Sequence, residues 1–228
     1  MDIKEIVLET HSIDKLINFY SDILELEVVR EENAISIKAG LSDLKFINSG
    51  ENENPFYHFA FDIPENQFKA AKLWISGKLD LITLNDQDEF DFKNWNAHSV
   101  YFYDPAGNIV ELIARHNLQN ASDEKFTGNS ILKISEMGLP VRDPSMFYEK
   151  LKQVLELPNF SGDMKTFIAA GDEDGLFIIV NEGRNWFPDC QSAKIFPALI
   201  KIVSEKEIIY EESKYKFVST KTNVRVVS

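Results

Sequence analysis

The chain has 228 residues, 44% of them hydrophobic and 27% charged, enough for one large domain or two small ones around a real core. Its 24 lysines and arginines face 37 aspartates and glutamates, and the net charge of −13 argues against binding nucleic acid or anionic membranes. No apolar run approaches the roughly 20 residues of a membrane span. Met1 to Glu5 is no signal peptide, and the single Cys190 excludes an internal disulfide framework or a cysteine-clustered metal site. The expectation is a cytoplasmic protein, monomer or homodimer, that handles a small molecule.

In chain order, Ile3–Thr10 is a short apolar strand. Ser12 is a candidate N-cap, followed at helical spacing by Ile13, Leu16, Ile17, Tyr20, Ile23 and Leu24. Ala34–Ala39 and Asp43–Asn48 read as paired strands around Gly40. A second unit opens with the strand Phe56–Ile63 and an amphipathic helix from Pro64 to about Ser76. Short strands near Leu79–Leu84, Ser99–Tyr103 and Ile109–Ala114 complete it. The polar stretch Asn117–Asn129 reads as a linker.

Beyond the linker the sequence repeats itself. Shifted by 131 residues, positions 3–47 align with 134–178 without a gap, and 12 of those 45 positions are identical, Glu5/Glu136, Leu8/Leu139 and Gly40/Gly171 among them. A unit this long is a duplicated module rather than a solenoid repeat. In the copy, Asp143-Pro144 supplies a helix cap and a first-turn proline. The module spans roughly 130–183, and Ala198–Val203 and Tyr215–Val218 mark a shortened fourth one. The expected fold class is α+β, with strand–helix–strand–strand–strand modules paired into sheets. Residues 1–116 would form a complete two-module domain and 130–228 a degenerate one.

The most informative stretch runs from Asn96 to Glu111. Asp104-Pro105-Ala106-Gly107 has the composition of a tight hairpin turn with glycine at the left-handed position. That turn sets Tyr103 opposite Ile109 and Tyr101 opposite Glu111. Alternation puts Ile109, Glu111 and Ile113 on one face and Val110, Leu112 and Ala114 on the other, so Glu111 is the one charge on a strand covered on both sides. A buried carboxylate must be paired, protonated or bound to metal. His58, in the apolar strand Phe56–Phe61, and Glu5, at the matching place in module one, are candidate companions.

These segments together resemble the vicinal oxygen chelate superfamily of glyoxalase I, extradiol dioxygenases, and fosfomycin and bleomycin resistance proteins. The likeness rests on Ile6 to Leu26, on Tyr57-His58-Phe59-Ala60-Phe61-Asp62-Ile63-Pro64, and on Val100-Tyr101-x-x-Asp104-Pro105-x-Gly107-x-x-x-Glu111. The resemblance implies paired modules forming an open, cup-shaped mixed sheet, with one divalent ion (Fe²⁺, Mn²⁺, Ni²⁺ or Zn²⁺) held by Glu5, His58 and Glu111. The fourth ligand position of glyoxalase-like members falls on Phe46, leaving three protein ligands. Tyr101 and His98 are the expected catalytic residues, and Tyr57, Trp95 and Tyr103 the expected substrate contacts. The activity implied is ring-cleaving dioxygenase-like or glyoxalase-like, on a small substrate offering two oxygens. The alternative is a metal-free binding protein of the bleomycin-resistance type. The second half has no histidine, and Gly183–Pro188, with Arg184, Trp186 and Phe187, reads as a loop packed across an interface, with an anion-binding arginine as the alternative. Phosphate-loop, nucleophile-elbow and dinucleotide-binding motifs are absent.

Overall fold

The computed structural model describes residues 1–50, 54–204 and 206–221. Module one holds β1 (Asp2–Thr10), α1 (Ile13–Asn18), β2 (Glu27–Arg30), β3 (Ala34–Ala39) and β4 (Ser42–Asn48), with a π-helical turn, Phe19–Ile23, continuing α1. Module two holds β5 (His58–Ile63), α2 (Phe68–Ser76), β6 (Phe90–Phe92), β7 (Ala97–Tyr103) and β8 (Ile109–Arg115). Module three holds β9 (Lys133–Val141), α3 (Pro144–Leu155), β10 (Asn159–Gly162), β11 (Phe167–Asp172) and β12 (Gly175–Asn181). Among the described residues the short fourth module has strands alone, β13 (Ala198–Ser204), β14 (Ile208–Glu212) and β15 (Tyr215–Lys221). No helix among the described residues is long and apolar enough to cross a membrane.

Local chemistry explains most of these elements. The Asp143 carboxylate accepts the Met146 N–H at 2.9 Å, so α3 starts at a true cap followed by Pro144. Ser12 makes no such bond; its own N–H donates to Thr10 Oγ1 at 3.0 Å, which turns the chain into α1 without a side-chain cap. The stretch Leu79–Leu84 is not a strand. The β6 position falls instead to Phe90–Phe92, where Phe90 can bury its ring against Tyr101.

The sheets depart from the sequence expectation in one decisive respect. Modules one and two do not share a cup. The seven-stranded sheet runs β14-β15-β13-β1-β4-β3-β2 and joins module one to module four through antiparallel β1 and β13. The eight-stranded sheet runs β10-β11-β12-β9-β5-β8-β7-β6 and joins module two to module three through antiparallel β5 and β9. The division at 117–129 therefore separates modules two and three, which share a sheet. An expectation of sequential pairing fails because every module presents the same kind of edge, and local pattern does not choose among partners.

One continuous core links the helix-bearing sides of both sheets, from Ile6 and Phe46 through Phe59 and Phe61 to Leu139 and Phe217. The segment between the linker and β9 ties the sheets together. Leu132 N–H donates to Asp62 O in β5, and Leu132 O accepts the Leu41 N–H from the β3–β4 turn, both at 2.8 Å. Gly40 in that turn has φ +57, and a Cβ on it would lie 2.0 Å from the Leu132 carbonyl oxygen. Gly40→Ala is expected to cost roughly 2–4 kcal/mol, combining left-handed strain with overpacking against backbone. Urea unfolding checks this; a loss below about 0.5 kcal/mol would show that the two sheets are not tied at this turn.

Candidate metal centre

The inner face of the eight-stranded sheet carries the chemistry. Register sets Ala60 of β5 between Glu111 of β8 on one side and Glu136 of β9 on the other, with His58 two residues along on the same face. Ligand atoms of His58, Glu111 and Glu136 all lie within 4.8 Å of one another, and all three residues are buried. His58 Nε2 stands 3.6 Å from Glu111 Oε2.

The hairpin turn is what aims His58. Asp104 Oδ1 accepts the N–H groups of Ala106 and Asn108 at 2.9 and 3.0 Å, and Asn108 Oδ1 then accepts the Tyr57 N–H at 2.8 Å. Tyr20 of module one donates to Asp104 Oδ2 at 2.9 Å and locks the turn from behind. The His58 ring is fixed by its Nδ1, 3.1 Å from the Ile109 carbonyl. A carbonyl only accepts, so Nδ1 carries the proton and Nε2 keeps a lone pair facing the two glutamates. Burial holds His58 neutral by lowering its pKa to about 4.

The glutamates are set in contrasting surroundings. Glu111 Oε1 accepts from Ser99 Oγ at 2.5 Å, and the Tyr101 hydroxyl is a second hydrogen-bond partner. Burial first, and the nearby Glu136 second, push the Glu111 carboxyl up to about 8. Burial also raises Glu136, against the opposing pull of Arg115, whose Nη2 donates to Glu136 Oε1. Arg115 is fully buried, and its Nε lies 4.0 Å from Asp62 Oδ1, beyond hydrogen-bond reach. A neutral imidazole nitrogen and two carboxylates that repel each other form a donor set suited to a divalent cation.

Above this floor lies a cavity of about 640 Å³. Trp186 forms one wall, its ring 5.1 Å from His58 and seated over Gly138, where a Cβ would come within 2.6 Å of the indole. Phe187 closes the side toward Phe90 and Tyr101, and Trp95 and Phe167 stand opposite.

No protein-family model matches the chain. Over 117 residues it is 31% identical to the metallothiol transferase FosB of Staphylococcus saprophyticus, a match covering 48% of this chain and 74% of that one. FosB of Staphylococcus epidermidis is 30% identical over 117 residues, covering 48% and 81%. The chain belongs to the vicinal oxygen chelate superfamily. Solved structures agree on the fold of this vicinal oxygen chelate protein. A Bacillus subtilis protein described provisionally as a dioxygenase superposes with a TM-score of 0.63 at 11% identity, over 97% of this chain and 85% of that one. Glyoxalase I of Zea mays gives 0.53 at 14% identity, over 88% and 74%.

With the superfamily fold in view, the residues expected from sequence divide sharply. His58, Glu111, Tyr101 and Trp95 face the cavity of this vicinal oxygen chelate protein. Glu5 does not. It lies in the other sheet, with Lys201 Nζ 2.9 Å from Oε1, and Glu136, its counterpart in the repeat, stands beside His58 and Glu111. A bulge recurs at Lys4 and Ser135, so both glutamates face inward from equivalent places. In the first sheet, however, Lys201, Leu199 and Val218 occupy the positions of Ala60, His58 and Glu111. Lysine there supplies the positive charge, and two ligand positions are apolar.

Three further expectations are corrected. His98 pairs with Ala114, on the face away from Glu111; its Nδ1 meets His116 Nε2 at 2.8 Å and its ring packs on Phe68 of α2. Tyr57 precedes His58 and so points to the opposite side, where its hydroxyl donates to Pro197 O at 2.8 Å. Tyr103 hydrogen-bonds Asp189 and fastens the Trp186 loop from outside the cavity. Phe46 is a core residue of the first sheet. Arg115, Ser99, Glu136, Trp186 and Phe187 escaped the sequence reading as site residues. Of these, only Glu136 had a signal, its identity with Glu5 across the repeat.

Proposed function

We propose that this protein is a metal-dependent enzyme that binds one small molecule through two oxygen atoms. The observation carrying this reading is the buried trio His58, Glu111 and Glu136, whose ligand atoms lie within 4.8 Å of one another at the foot of a large apolar cavity. These three side chains would hold the ion, with no fourth protein ligand among the described residues. A bound divalent ion supplies Lewis-acid polarisation of substrate oxygens. Tyr101, opposite Glu111, would share a hydrogen bond between that carboxylate and a substrate oxygen. Trp186, Phe187, Trp95 and Phe167 would exclude water and select a flat, apolar body. The name metallothiol transferase carried by the staphylococcal relatives supports metal-dependent chemistry at this site. Ring cleavage or glyoxalase-like isomerisation is our preferred class.

One observation favours a second reading, metal-free binding. Arg115 already donates to Glu136 and supplies a positive charge inside the cup. Elemental analysis of protein purified without a histidine tag, together with Mn²⁺ titration, decides between the two. The enzyme reading expects close to one ion per chain, with affinity falling about a hundredfold or more in His58→Ala and Glu111→Gln. Glu136→Gln is expected to weaken binding similarly, whereas Glu5→Gln leaves it unchanged. Absence of stoichiometric Mn²⁺, Fe²⁺, Ni²⁺ or Zn²⁺ binding by the unmodified protein would leave the metal-free reading standing.

A further inference from the structure

Four arginines lie among the described residues, and three face carboxylates: Arg30 with Asp14, Arg115 with Glu136, and Arg142 with Glu182. Arg184 does not. Its guanidinium lies 5.3 Å from the centre of the Phe167 ring and lines the same cavity as the histidine–glutamate trio. In a chain with 37 acidic and 24 basic residues, a cavity-facing arginine without an acid is a notable exception. Lys93 also lines the cavity without a carboxylate partner among the described residues, and the one acid at the rim, Asp91, approaches His98 Nε2 at 3.9 Å. The rim therefore offers positive charge, while the floor holds Glu111 and Glu136.

The spacing between rim and floor follows from register. Glu136 is level with Leu176 of β12, whereas Phe167, under Arg184, is level with Val180. Four residues of strand separate the two levels, roughly 13 Å at 3.3 Å per residue. The walls between are the aromatic side chains Trp95, Phe167, Trp186 and Phe187. An arginine fork suits a planar acid group, and stacking on Phe167 holds the fork in place.

We propose that Arg184 is a specificity-determining residue that pins the anionic end of the ligand, which is a flat, apolar molecule carrying one carboxylate or similar acid group remote from the trio. This assignment rests on the same cavity as the proposed function and names the class of molecule it accepts. It is tested first on metal-free protein, so that its outcome does not depend on the metal reading. Quenching of tryptophan fluorescence is followed on titration with phenylpropanoate and, separately, with its neutral amide.

Unmodified protein is expected to bind the acid about tenfold or more tightly than the amide, as a charge-assisted pair would provide. Arg184→Met should abolish that preference and Arg184→Lys should keep part of it. Equal binding of acid and amide by the unmodified protein, or a preference that survives Arg184→Met, would overturn the assignment. Mn²⁺ titration of Arg184→Met runs in parallel and is expected to match the unmodified protein, because Arg184 is not one of the three candidate ligands. Loss of Mn²⁺ binding in Arg184→Met alone would also overturn it, by making Arg184 part of the metal centre's support. Failure of the unmodified protein to bind Mn²⁺ would instead count against the metal reading and leave the acid-against-amide comparison standing.

Discussion

Arg115→Met is expected to destabilise the metal-free protein by about 3–5 kcal/mol, the usual cost of breaking a buried ion pair from one side. Arg115 is the largest fully buried side chain among the described residues, and it stands beside two acids. It donates to Glu136 and lies near Asp62, neither of whose carboxylate oxygens has a hydrogen-bond partner. Burial pushes Asp62 up to about 7 even with Arg115 present. Methionine fills a similar volume, so the loss reports the uncompensated acids rather than a void. A divalent ion between His58, Glu111 and Glu136 would restore positive charge beside Glu136. Mn²⁺ should therefore raise the melting temperature of Arg115→Met by more than it raises that of the unmodified protein. Equal shifts in the two proteins would mean that Arg115 and the ion do not compete for Glu136.

Raising the pH from 6.5 to 8 should weaken the metal-free fold and strengthen metal binding. The Glu111 carboxyl has an ordinary value of 4.5 and stands at about 8 in the folded protein. Between those values the native state keeps a proton that the unfolded chain has released, so stability falls as pH rises. Asp62, at about 7, acts in the same direction over the lower part of that range. His58 opposes them only in more acid solution. Its value drops from 6.5 to about 4, so the stability it contributes is complete above 6.5 and is lost as pH falls toward 4. A bound ion would displace the Glu111 proton, so affinity is expected to rise about tenfold per pH unit below 8. Urea unfolding at pH 6.5 and 8, with and without Mn²⁺, checks both effects. A metal-free stability that is flat or rises across that interval would contradict the buried, protonated state of Glu111.

Much of the site was legible because it is built by neighbours in sequence. The Asp104–Asn108 turn sets the β7–β8 register, and Tyr101 does stand opposite Glu111. The burial of β8 on both faces followed from its alternation. The same alternation overturned two expectations: Tyr57, the immediate neighbour of inward-facing His58, points away from the cavity, and His98 faces away from Glu111. The walls were harder to read. Trp186 and Phe187 sit on a loop with no periodicity, and their place over His58 and Phe90 is a long-range packing result.

The amino-acid sequence alone determined the modules, their duplication, the hairpin that presents Glu111 and the inward-facing His58, because each depends on contacts between residues close along the chain. Only the tertiary structure decided that module two closes with module three and module one with module four. Both Glu5 and Glu136 stand at an inward bulge, so local pattern treats them alike. The partner strand differs: Lys201 neutralises one, while Ala60, His58 and Glu111 surround the other. That choice is made between strand edges far apart in sequence, where hydrophobic alternation fits several partners equally well.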